Sequence, residues 1–61
     1  MSKELEPILL RDVQVAKLFG VHRNTIWNRV RQSRFPKPIK WEGLTVWRRR
    51  DIEEFVERLA D

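Results

Sequence analysis

Residues 12–19 read D-V-Q-V-A-K-L-F, and the apolar positions Val15, Leu18 and Phe19 recur there at three- and four-residue spacing with Ala16 beside them. That period predicts a short amphipathic helix that buries Val15, Leu18 and Phe19, with Asp12 placed to cap its first turn. Gly20 follows, and a glycine stops a helix by taking the positive φ of the C′ position. Val21 then plugs the corner. A second helix is predicted from His22 or Arg23 to about Gln32. Advancing about 100° per residue from Arg23 puts Asn24, Trp27, Asn28 and Arg31 in one arc with it, while Ile26 and Val30 fall together outside that arc.

The periodicity breaks at Ser33-Arg34-Phe35-Pro36-Lys37-Pro38, where two prolines impose an extended path and Phe35 is the natural apolar anchor. Ile39-Lys40-Trp41 and Thr45-Val46-Trp47 then have strand composition and bracket Glu42-Gly43-Leu44, which predicts a β-hairpin with Gly43 at the position of unusual φ. A third helix follows. Asp51 and Glu54 have the spacing of an N-terminal capping box, and Ile52, Phe55, Val56 and Leu59 form an apolar stripe. At the other end of the chain, residues 1–7 are polar, acidic and aperiodic, so they read as a tail before a single domain over residues 8–61.

Two helices joined by a tight glycine turn, the second opening with polar and basic side chains, are the pattern of a helix-turn-helix. With the hairpin and the closing helix added, the fold class is mainly α with a small β-hairpin, a winged helix-turn-helix of three helices and a two-stranded wing. In that arrangement the second helix enters the DNA major groove. Arg23, Asn24, Trp27, Asn28 and Arg31 are then the groove-facing candidates. Arg suits guanine O6/N7 and Asn suits adenine N6/N7, while Trp27 can lie along the sugar-phosphate backbone or against a thymine methyl. The backbone candidates are His22 at the helix N-terminus, where the dipole favours an anion, together with Thr25, Lys37, Lys40 and Arg48. For Thr25 a bond back into its own helix is the alternative, and for Arg48-Arg49-Arg50 a solvated run that offsets the acidic third helix.

Charge sharpens this picture. Thirteen basic and nine acidic residues give a net charge of +4, which suits a polyanion partner. The distribution says more: between His22 and Lys40 stand Arg23, Arg29, Arg31, Arg34, Lys37 and Lys40 with no acid among them. At 61 residues the chain is too short for a deep substrate pocket with supporting residues behind it, so a binding module is favoured over an enzyme. No nucleophile is paired with a base. With no cysteine and one histidine, neither a disulfide nor a metal site is expected, and no cofactor is implied. The longest wholly aliphatic run is Ile8 to Leu10, far short of a membrane span, and the chain reads as a cytoplasmic, nucleoid-associated protein.

The stretch V-A-K-L-F-G-V-H-R-N-T-I-W, followed by F-P-K-P-I-K, a Trp before an arginine and a final D-I-E-E-F helix, resembles the AlpA-type regulators and small phage excisionases. Their DNA-binding fold is similar to the MerR winged helix. The resemblance spans about Leu10 to Leu59. It implies that the helix entered by Arg23 and Thr25 reads the major groove and that the hairpin is the wing. It also implies a role, either as a recombination directionality factor that binds and bends attachment-site DNA beside a tyrosine-family integrase, or as a transcriptional regulator of integrase or prophage genes. Cooperative self-association on double-stranded DNA belongs to the first role. Two departures stand out: His22 occupies the place of the usual Ser cap, and the turn at Glu42-Gly43-Leu44 lacks a basic tip.

A reading from another class is a protein-interaction or antitoxin-like module in which Trp27 and Trp41 enter a protein groove. It predicts weak salt dependence and no affinity for nucleic acid. An RNA-binding reading needs aromatics arrayed on a broad sheet face, which a two-stranded hairpin does not supply.

Overall fold

A computed structural model describes residues 7–60; of the tail predicted over residues 1–7, residues 1–6 lie outside the described residues. The elements run β1 (Leu9–Leu10), α1 (Asp12–Phe19), α2 (Arg23–Arg31), β2 (Ile39–Trp41), β3 (Leu44–Arg48) and α3 (Arg49–Leu59). Three helices, a tight inter-helix turn and an antiparallel hairpin make a winged helix-turn-helix, as the pattern of the chain predicts. The added strand is β1. Leu10 pairs with Trp47 and Leu9 with Arg48, so a three-stranded antiparallel sheet of order β1-β3-β2 replaces a bare two-stranded wing. Two residues are too few to show a period of two in sequence, which is why Leu9–Leu10 read only as an apolar run.

The turn between α1 and α2 is closed as a Schellman motif. Gly20 has φ +71°, its N–H donates to Lys17 O, and the Val21 N–H donates to Ala16 O. The helix start differs from expectation. Arg11 is the N-cap residue; having no side-chain acceptor, it leaves the capping to Gln14, whose Oε1 accepts the Arg11 N–H at 2.8 Å. Asp12 sits one place further in and is used elsewhere.

Trp47 and Val15 are fully buried, with Leu10, Ala16, Ile26, Phe35 and Ile52 around them. Phe35 anchors the proline loop as expected, standing edge-on to Phe19, Phe55 and Trp47 at centroid distances of 5.3, 5.0 and 6.1 Å. The Trp47 indole N–H donates to Pro36 O at 2.7 Å and so ties β3 to that loop.

Four expected core positions are wrong. Leu18 is 66% exposed, because the buried arc of α1 is Val15, Ala16 and Phe19, and Leu18 lies beyond its edge. Val56 and Leu59 are 46% and 64% exposed, since α3 buries Ile52 fully and Phe55 in part, and the later apolar positions only line open clefts beside Leu18 and Phe19. Val21 stays on the surface rather than plugging the corner. The capping box expected at Asp51 and Glu54 is also absent. Helix α3 starts directly after β3 with Arg48 as N-cap; the Arg49 N–H donates to Ile8 O at 2.7 Å, and the Asp51 carboxylate accepts from Arg48 Nε at 3.2 Å.

Candidate nucleic-acid interface

The second helix of the pair is held by its cap, its core side and one long-range bond. His22 Nδ1 accepts the Asn24 N–H at 3.0 Å, so the imidazole serves as the N-cap acceptor and the start of α2 is secured. The same bond occupies the ring nitrogen that faces the helix end. Ile26 is buried and Val30 half-buried against the core.

Trp27 does not belong to the polar face. On the wheel it stands about 60° from Val30, on the shoulder of the buried stripe, and the structure turns it inward. Its ring packs on Trp47 at 5.2 Å, and its Nε1 donates to Asp12 Oδ2 at 2.9 Å. The two indoles thus form a pillar that runs from α1 through α2 and β3 to the loop at Pro36. Asp12 is the residue that sequence reasoning missed here: its other oxygen accepts the Val13 N–H at 2.7 Å. The Trp27 N–H bond, the Val13 N–H and the guanidinium groups of Arg23 and Arg11 hold its carboxyl below the ordinary carboxylate range, outweighing partial desolvation. A helical Asp fifteen positions before a Trp carries no sequence signal.

With Trp27 withdrawn, the solvent side of α2 consists of Arg23, Asn24, Asn28 and Arg31, all exposed. Asn28 Oδ1 accepts from Arg31 Nη2, so these two side chains form one hydrogen-bonded unit on the face that Asn24 shares. Thr25 is half-buried in a cleft with Val21, Arg29 and Arg34, away from that unit. The helix ends at a second left-handed residue, Ser33 with φ +59°, whose N–H donates to Val30 O while the Arg34 N–H donates to Arg29 O.

The hairpin turn is Glu42-Gly43, with φ of +53° and +77°, the positive pair that a type I′ turn requires. Ile39 faces Val46, Lys40 faces Thr45 and Trp41 faces Leu44 across it. Lys37 and Lys40 are exposed. Arg48 is exposed but pairs with Asp51, and Arg49 pairs with Glu53 at 3.5 Å. Exposed pairs of this kind contribute little and yield readily to a phosphate. From His22 to Arg50 the chain carries nine basic residues and one acid, Glu42.

These features define a helix-turn-helix DNA-binding module. The chain belongs to the family of helix-turn-helix domains, whose model matches residues 9–60. Comparison with curated proteins and with solved structures finds no match. Among the described residues no helix is long and apolar enough to cross a membrane.

Proposed function

We propose that this protein reads double-stranded DNA by placing the exposed face of α2 in the major groove, with Arg23, Asn24, Asn28 and Arg31 toward base edges and the hairpin against the neighbouring backbone. The observation that carries this reading is the combination of a capped, rigidly seated α2 whose outer side is wholly polar or basic with a run of nine cations and one acid over α2 and the elements that follow it. Lys37, Lys40 and Arg48 act as phosphate contacts. Trp27 leaves the set of base-reading residues and becomes the support of α2.

The role that fits best is that of a recombination directionality factor. A single module buries only about 600–1,000 Å² on DNA, so useful specificity comes from several copies bound side by side or from a partner. Loading copies in a row bends the site and allows a tyrosine-family integrase to assemble on it. Circular-permutation gel shifts on the DNA flanking the encoding gene test this role. Cooperative occupancy of repeated sites with bending supports it. A stable dimer on one unbent palindrome favours a transcriptional regulator of the AlpA type.

Phosphate contacts have their own signature. Lys40→Ala and Arg48→Ala are expected to weaken binding to specific and mixed-sequence duplexes alike and to flatten the dependence of log K on log salt by about one unit each. Titrations at several salt concentrations measure this, and an unchanged slope removes the residue from the interface.

A further inference from the structure

The sheet has two unlike faces. Trp47 and Leu10 are cross-strand partners that point into the core. Alternation along β3 therefore places Val46, with its partner Ile39, and Leu44, with its partner Trp41, on the opposite face. Val46 is buried yet lies outside the main core cluster, so it is covered from this outer side by the hairpin itself. Trp41, diagonal to Val46 and directly before the turn, is 53% exposed. The other two tryptophans are spoken for, one fully buried and one bonded to Asp12. A half-exposed Trp on a rigid two-residue hairpin is unusual, because this side chain normally buries most of its large area.

We propose that Trp41 is the wing-tip contact to DNA, its indole lying against the sugar-phosphate wall or base edges of the groove next to the one occupied by α2. This rests on the reading of α2 and the hairpin given above and names a contact that reading does not contain. The tip, Trp41-Glu42-Gly43-Leu44, holds no cation, and Glu42 repels phosphate. Attraction from a side chain at the tip is then uncharged, and Trp41 has the largest exposed side chain there to supply it. Lys40, one residue back, projects to the other face of the ribbon. A ribbon set into a minor groove about 6 Å wide presents one face to each wall, so Lys40 meets one backbone while Trp41 meets the other. The register sets Trp41 opposite Leu44 and diagonal to Val46 on a short hairpin, so the backbone that carries the indole is ordered before DNA binds, which limits the ordering cost of binding.

An apolar contact releases no counterions, and this separates Trp41 from its neighbour. With a duplex selected from a random-sequence pool by the wild-type protein, Trp41→Leu, which keeps cover over Val46, is expected to bind about tenfold more weakly at every salt concentration with the same slope. Trp41→Phe is expected to recover most of that loss. The change in tryptophan emission on adding the duplex should be much smaller in Trp41→Phe than in the wild type, since Trp47 is fully buried and Trp27 is half-buried with its indole N–H bonded to Asp12. Wild-type affinity in Trp41→Leu, or an emission unaffected by DNA in the wild type, overturns the assignment and leaves the indole for a protein partner. If the wild type itself shows no salt-dependent affinity for any duplex, the parent reading fails and this one with it.

Discussion

Trp47→Ala is expected to abolish the cooperative folding transition at ordinary temperatures. Trp47 is fully buried, pairs with Leu10, packs on Trp27 and Phe35, and donates its indole N–H to Pro36 O. Removing a buried Trp costs about 3–5 kcal/mol, and here the change also leaves the Pro36 carbonyl without its donor and parts β3 from the proline loop. A domain of this length, without a disulfide, has total stability at the low end of about 5–15 kcal/mol. The loss is therefore comparable to everything the fold has. Thermal unfolding followed by far-ultraviolet circular dichroism measures it; a sharp transition within a few degrees of the wild type would mean that the pillar is not what unites sheet and helices.

Trp27→Ala is expected to be nearly as damaging, about 2–4 kcal/mol, because the partly buried ring is lost against Trp47 and the carboxylate of Asp12 loses its donor. Placing Trp27 on the DNA face, as the helical wheel suggests, predicts the opposite, an unchanged melting temperature with lost binding. The bond to Trp27 also gives the fold a defined response to acid. Because the folded-state pKa of Asp12 lies below its ordinary value of 3.8, the stabilisation is complete above that value and declines as pH falls through the lower folded pKa. Trp27→Ala should shrink this acid-linked loss. A wild-type melting temperature in the tryptophan variant would return the side chain to the groove.

Much of this architecture was legible in the residues because each feature is written locally. Gly20 marks a stop, the prolines around Lys37 mark a loop, and Gly43 marks a hairpin turn, each through the backbone conformation it allows, although the turn is the two residues Glu42-Gly43, and Leu44, read as part of it, belongs to β3. What was not legible depends on partners distant in sequence. Whether Leu18, Val56 and Leu59 are covered depends on where α3 crosses the sheet, and no period encodes that. Asp12 looked like a cap because Asp often is one; its real partner is set by the packing of α1 on α2. His22 caps through an imidazole nitrogen, a less common acceptor than a hydroxyl, which is why a sequence search for Ser, Thr, Asp or Asn does not find it. Helix α3 starts at Arg49, whose N–H is taken by the carbonyl of Ile8, the residue before β1, a partner distant in sequence.

The central claim is that the outer face of α2 reads base pairs. Its most direct test compares Arg23→Ala and Asn28→Ala with the wild type on two duplexes at fixed salt, the one selected by the wild type from a random pool and one of mixed sequence. Base-edge contacts carry about 1–3 kcal/mol of discrimination each, so each variant is expected to lose that much on the selected duplex and little on the other. Equal losses on the two duplexes, or no loss on either, would contradict the account.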